Sequence, residues 1–194
     1  MADRRDHKSH LPEWRVIKET RILSRPPWLE VWTESVELPD GRLVDPYYRI
    51  DQPDYVVVFA VTAKHRVVGL WHYKHGPRAE TLGVPAGYVQ PGERPSAAAR
   101  RELLEETGYA AAEWRRLGRF CVDGNRGCGW VHVFLAEVLT LVASPQPDEL
   151  EELHLEEMST RTLQSHLEKG SVLTLGAAAA IALGLNRLLS LKSE

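Results

Sequence analysis

The sequence predicts an α+β sandwich. Two near-continuous apolar runs of strand composition, Tyr55–Ala63 and Trp130–Thr140, lie on either side of a sharply bounded helix at Ser96–Thr107. Two further helical segments close the chain. Strands and helices do not alternate regularly, which separates the pattern from a parallel βαβ array. The 194 residues suit one domain with trimmings. A chain of this size buries about 70% of its unfolded surface, so it folds without disulfides or a structural metal.

Residues 1–13 are charged and lack apolar periodicity, and are expected to form a disordered tail. From Trp14 to Ile50 short β-like runs alternate with turn signals. Leu29–Leu38 is rich in aromatic and β-branched residues, and Pro39-Asp40-Gly41 then marks a turn. Tyr55–Ala63 (YVVVFAVTA) has the uninterrupted apolar character of a strand buried on both faces. Lys64-His65-Arg66 breaks it before Val67–Lys74, its expected hairpin partner. Pro95 suits the first helical turn, where a missing N–H costs nothing, and Gly108 suits the left-handed position just beyond the last turn. Between them Ser96–Thr107 carries three alanines and two leucines, strong helix formers. Ser159–Lys169 reads as a helix capped by Ser159 and stopped by Gly170, and Thr174–Leu191 as the last helix.

Charge narrows the function. Twenty-four Lys and Arg against 27 Asp and Glu give a net charge of -3 and a pI near 6.3. This balance disfavours nucleic-acid polymers as partners, because their binding domains usually carry a basic excess or stripe. Met1–Leu11 has no apolar core of a secretory signal. The most apolar stretch, Leu173–Leu185, is too short for a bilayer, which needs about 20 residues. Cys121 and Cys128, the two cysteines, form no CxxC pair and read as reduced thiols. The expectation is a cytoplasmic protein with no membrane association.

The chemistry concentrates in Gly87–Tyr109, GYVQPGERPSAAARRELLEETGY. On a helix, Glu102 lies one turn from both Glu105 and Glu106, so three carboxylates crowd one face. Arg101, four residues before Glu105, is the cation placed to hold that side chain. Gly87 and Gly92 let the preceding loop fold tightly, bringing backbone carbonyls and Glu93 toward the helical carboxylates. A dense set of carboxylates is a hard oxygen site, suited to Mg²⁺ or Mn²⁺ rather than zinc. Mg²⁺ held by few carboxylates takes its other ligands from water and substrate phosphates. The pattern therefore predicts a phosphate-bearing substrate and metal-assisted attack by water.

Charge runs of this kind ordinarily mark a solvated helix face. Here the spacing argues otherwise. The stretch resembles the Nudix box, G-x5-E-x7-R-E-U-x-E-E-x-G-U, at every fixed position: Gly87, Glu93, Arg101, Glu102, Glu105, Glu106 and Gly108. With each letter used at roughly 7%, seven matches by chance are on the order of 10⁻⁸ per starting position. The resemblance to the Nudix hydrolase superfamily implies an α/β/α sandwich with a mixed sheet. Pro85-Ala86-Gly87, after a strand ending His72-Tyr73-Lys74, is similar to the ADP-ribose and nucleoside-diphosphate-sugar pyrophosphatase branch.

That branch implies an antiparallel β extension at residues 14–52, serving dimerisation and base binding, ahead of a hydrolase domain at 53–194. It implies a homodimer. It also implies Mg²⁺ binding by the Ala86 carbonyl, Glu102 and Glu106, with Glu105 nearby. Lys74 stands where the branch usually has an arginine on the phosphate or terminal sugar; the charge is kept and the bidentate fork is lost. Trp28 and Tyr47 fall where the branch stacks aromatics on the base, with burial in the core as the competing reading. Two departures bear on the sugar and base rather than the reaction. Gly83 replaces a glutamate often found there, and Asp123–Gly129 replaces a proline beyond the box.

The acidic segment Pro147–Glu157 holds six acids and no Lys or Arg, and is expected to be a loop. In similar enzymes this segment supplies a glutamate that deprotonates the attacking water and often a further metal ligand. Glu149 and Glu151 match best by position, Glu151 also as the ligand. The expected reaction is Mg²⁺-dependent hydrolysis of ADP-ribose, or a related nucleoside-diphosphate sugar, to a nucleoside monophosphate and a sugar phosphate. The alternatives are another Nudix specificity (a dinucleoside polyphosphate, nucleoside triphosphate or coenzyme) and a non-catalytic nucleotide-binding module. Against the latter stand four intact glutamates, Glu93, Glu102, Glu105 and Glu106.

Overall fold

A computed structural model describes residues 11–146 and 152–191. The expectations placed on residues 1–10, Glu149 and Glu151 fall outside them. The chain divides into two compact units, residues up to Gln52 with Asp123–Gly129, and Pro53–Val122 with Trp130 onward.

The first unit is an antiparallel meander of β1 (Arg15–Arg25), β2 (Leu29–Glu37) and β3 (Leu43–Asp51). These strands are longer than the short runs expected, at 11, 9 and 9 residues. Pro39-Asp40-Gly41 turns β2 into β3, with the Gly41 N–H donating to the Leu38 carbonyl at 2.9 Å. Trp32 lies between two guanidiniums, Arg21 at 5.5 Å and Arg49 at 5.0 Å from its ring centre. Arg49 also pairs with buried Glu34 at 2.6 Å and with Asp51. The Asp123 carboxylate accepts the Asn125 and Arg126 N–H groups at 2.8 and 2.9 Å, closing the tip of a hairpin. That tip meets β3 where Ile50 pairs with Gly127, the first residue of β9 (Gly127–Leu141).

The second unit is built on β4 (Tyr55–Thr62), whose apolar run is buried from Val56 to Val61, as its composition predicts. It lies parallel to β9, Tyr55 opposite Val131, and antiparallel to β5 (Val67–Lys74). Beyond β5 come β10 (Leu153–Met158) and the short β6 (Ala79–Gly83), both antiparallel to it. β7 (Ala86–Tyr88) pairs with the start of β4, and β8 (Tyr109–Asp123) with β9. Alternation on β4 fills both faces. Val57, Phe59 and Val61 join Leu135, Leu163 and Ile181 under α2 (Thr160–Glu168) and α3 (Leu175–Leu191). Val56, Val58 and Ala60 join Ala98, Ala99 and Leu103 of α1 (Pro95–Thr107). A mixed sheet between helices is the predicted α/β/α sandwich. Each fully buried Leu or Phe contributes about 1.5–3 kcal/mol to this arrangement. Ser159 caps α2 by accepting the Thr162 N–H at 3.0 Å. Among the described residues no helix is long and apolar enough to cross a membrane.

Four strands were not anticipated. β6 and β7 flank Pro85 and are too short for a period to show. β8 (YAAAEWRRLGRFCVD) is mostly exposed or half-buried, and its alanines and charges are poor strand formers that neighbour pairing overrides. The acidic segment expected as a loop ends in β10, pinned by its own acids. Trp71 Nε1–H donates to Glu156 at 3.0 Å, and the Tyr109 hydroxyl donates to Glu157 at 2.6 Å.

The bond to Glu157 pushes the Tyr109 phenol up to about 12, with burial adding to it. A pKa raised by folding stabilises the protein fully below the unfolded value, about 10. The contribution is then lost as pH rises through 12. Tyr109→Phe is expected to cost about 1–2 kcal/mol at neutral pH and to remove one late-ionising phenol from a spectrophotometric titration. A late phase unchanged in the variant would refute the bond.

Candidate active site

Helix α1 carries the carboxylates, and its boundaries follow from its ends. Pro95 opens it, and Gly108, at φ 72°, closes it by donating its N–H to the Leu104 carbonyl at 2.8 Å. A Cβ at Gly108 would lie 2.1 Å from the Ala143 carbonyl oxygen, so both conformation and space call for glycine. Before the helix, Gln90 and Glu93 form a reciprocal turn. The Glu93 N–H donates to the Gln90 carbonyl at 2.9 Å, and the Gln90 N–H donates to the Glu93 carboxylate at 3.0 Å.

Arg101 organises the group. Its Nε and Nη2 fork onto the two Glu93 oxygens at 3.1 and 3.0 Å. Nη1 donates to Glu102 at 2.6 Å and to Glu105 at 3.0 Å, and Nη2 also reaches the Tyr88 carbonyl at 3.0 Å. The fork on Glu93 is the bidentate arrangement that makes arginine irreplaceable by lysine. It is also the main reason the Glu93 carboxyl is held below the usual carboxylate range and the Arg101 guanidinium is raised. Glu93 thus meets the helix through Arg101, not by turning its own oxygens toward the other carboxylates.

Glu106 is 5% exposed, and its Oε2 accepts the Ala86 N–H at 2.9 Å. Glu102 lies flat on β7: a Cβ at Gly87 would fall 2.1 Å from the Glu102 carboxyl carbon. The side chain of Glu105 is nearly half exposed. Glu93, Arg101, Glu102, Glu105, Glu106, Ala86 and Gly87 are therefore brought together, with one guanidinium against four carboxylates. The Tyr88 carbonyl, which anchors Arg101, escaped the sequence reading because a backbone acceptor leaves no trace in residue type.

The other expected residues are each placed within their own unit. Lys74 ends β5, opposite Ala79, and is half-buried. Trp28 is 62% exposed in the turn between β1 and β2. Tyr47, on β3, is half-buried, with its ring at 80° to Trp14 and its hydroxyl donating to the Asn125 carbonyl. Neither aromatic is core, which corrects the competing reading of both.

Among the described residues no three acidic, His or Cys side chains form a ready metal cluster. The donor set nevertheless fits a hard divalent cation. It consists of oxygens alone, and the space beside Gly87 that a Cβ would fill is taken by the Glu102 carboxylate.

A mixed-sheet α/β/α sandwich bearing this carboxylate helix defines a hydrolase of the Nudix class. A NUDIX domain matches residues 51–172, more than half of the chain, and the chain belongs to that family. It is 31% identical over 140 residues to an ADP-ribose pyrophosphatase of Bacillus subtilis (strain 168), covering 72% of this chain and 74% of that protein. It is also 31% identical over 129 residues to a methanol dehydrogenase activator of Bacillus methanolicus, covering 66% and 68%. A crystal structure of an ADP compounds hydrolase superposes with a TM-score of 0.80 at 21% identity, over 93% of this chain and 97% of that one, a likeness of fold.

Proposed function

We propose that this enzyme hydrolyses the diphosphate linkage of ADP-ribose or a related nucleoside-diphosphate sugar, using Mg²⁺, with Mn²⁺ as a substitute. The observation that carries the reading is the carboxylate helix itself: Glu102 laid on Gly87, Glu106 fixed by the Ala86 N–H, and Arg101 ordering Glu93, Glu102 and Glu105. The likeness to an ADP-ribose pyrophosphatase supports the substrate class.

The Ala86 carbonyl, Glu102, Glu105, Glu106 and Glu151 are the proposed metal ligands. Bound there, a divalent ion neutralises phosphate oxygens and supports the leaving group. The chain's own part is to hold four negative groups in place before substrate arrives. Glu149 or Glu151 is proposed to take the proton of the attacking water; both lie outside the described residues, and these roles rest on the resemblance. The water oxygen bonds to one phosphorus as the bridging P–O bond breaks, giving a nucleoside monophosphate and a sugar phosphate. Lys74 is proposed to meet the phosphate or terminal sugar. Trp28 and Tyr47 are proposed to stack on the base, a reading that the exposure of Trp28 supports.

A homodimer through residues 14–52 and a cytoplasmic location belong to the same proposal, and sedimentation measures the first. Purified enzyme with Mg²⁺ and a panel of nucleoside-diphosphate sugars, dinucleoside polyphosphates and nucleoside triphosphates is expected to favour the sugars and release both products. EDTA is expected to abolish turnover. Full activity in EDTA, or preference for another panel member, overturns the reaction or the substrate respectively.

A further inference from the structure

The sheet carries an acid–histidine pair that the hydrolytic reading leaves without a role. His132 of β9 is 6% exposed, and its Nε2 lies 2.9 Å from the carboxylate of Asp54, the residue before β4. Facing a carboxylate, which only accepts, Nε2 is the ring nitrogen that carries the hydrogen. The other Asp54 oxygen accepts the Trp130 N–H at 3.1 Å. One side chain thus ties the start of β4 to two alternate residues of β9.

The pair stands on the face of the sheet that carries the candidate site. Val56 pairs with Gly87 of β7 along one edge of β4 and with His132 along the other, so the three form a row. Side chains in such a row share a face. Val56 packs under α1, and Gly87 seats the Glu102 carboxylate on that same side. Asp54 reaches the site through its backbone, where its carbonyl accepts the Val89 N–H at 2.9 Å. Val89 lies between the two residues on which the Arg101 fork depends. Tyr88 offers its carbonyl to Arg101 at 3.0 Å, and Gln90 exchanges hydrogen bonds with Glu93 at 2.9 and 3.0 Å. Arg101 in turn holds Glu102 and Glu105.

We propose that Asp54 and His132 are positioning residues of the hydrolytic centre, a role that rests on the hydrolytic reading of α1. They act through the main chain: with both carboxylate oxygens engaged, Asp54 holds Val89, and Val89 sets Tyr88 and Gln90 against α1. Without the histidine bond the Asp54 carboxylate, whose side chain is 35% exposed, turns toward water. The strand end loosens with it, and the anchors of Arg101 and Glu93 shift. A misplacement of about 1 Å costs on the order of 100-fold in a site that must hold its groups ready before the substrate arrives.

The test is amide hydrogen exchange of the full chain beside steady-state kinetics. In His132→Leu the peptide spanning residues 86–94 is expected to exchange about tenfold faster than in wild type while α2 exchanges as before, the mark of a local release. With Mg²⁺ and the preferred nucleotide sugar, kcat is expected to fall about tenfold and half-saturation by Mg²⁺ to rise about threefold, with KM within about twofold of wild type. His132→Gln keeps a side-chain N–H where Nε2 stood, and is expected to return both readings to within about twofold of wild type. Unchanged exchange at residues 86–94, faster exchange throughout the chain, wild-type kcat and Mg²⁺ response in His132→Leu, or a His132→Gln enzyme as impaired as His132→Leu would each overturn the proposal. A wild-type protein that hydrolyses no member of the panel would overturn the hydrolytic reading instead, and the exchange measurement would still decide whether the pair holds this strand end.

Discussion

Glu106→Gln is expected to lower kcat about a thousandfold, close to 4 kcal/mol of transition-state stabilisation, while the fold stays intact. The side chain is 5% exposed and accepts the Ala86 N–H at 2.9 Å. Glutamine fills the same space and still offers a carbonyl oxygen to that N–H, so stability is expected to change by no more than about 1 kcal/mol. What disappears is the negative charge, and with it one of the oxygen ligands proposed for a divalent cation. Steady-state kinetics on the preferred nucleotide sugar, beside thermal unfolding, separates the two effects. Wild-type turnover in this variant would sink the assignment of the helix as the hydrolytic centre.

Different parts of the molecule were legible to different degrees. α1 could be read from end to end because its signals are local: Pro95 at the start, Gly108 at φ 72° at the end, and carboxylates at helical spacing between. β4 was legible because burial on both faces leaves one composition, and α2 because Ser159 sits where a cap must. β8 was not, since its pairing with β9 supplies what Ala, Glu and Arg do not. The tip at Asp123–Gly129 joins the N-terminal strands through Ile50 and Gly127, a non-local pairing with no sequence period. At the site, the Arg101–Glu105 pair followed from helical spacing. The stronger fork of Arg101 on Glu93 spans eight residues and depends on the Gln90–Glu93 turn, so spacing could not reveal it. Trp28 and Tyr47 show the limit of residue type: large aromatics suggest a core, yet one is exposed and the other half-buried.

Gly87→Ala separates catalytic geometry from stability. The added methyl would stand 2.1 Å from the Glu102 carboxyl carbon, far inside any permitted contact. The atoms it meets are the far end of a flexible side chain, so Glu102 can swing aside, and the cost to folding is expected to be about 1 kcal/mol or less. The swing abandons the 2.6 Å bond from Arg101 and removes one carboxylate from the cluster. An activity loss of about 100-fold, near 2.7 kcal/mol, is expected, with half-saturation by Mg²⁺ raised about tenfold. Gly108→Ala gives the contrasting result. There the methyl meets the Ala143 backbone oxygen at 2.1 Å, and φ is 72°. Neither can be relieved by a rotamer, so about 2–4 kcal/mol of stability is expected to go. A Mg²⁺ titration of kcat beside a denaturant melt of both variants distinguishes them. A Gly87→Ala enzyme with wild-type kcat and wild-type Mg²⁺ dependence would show that the seat of Glu102 on β7 has no part in catalysis.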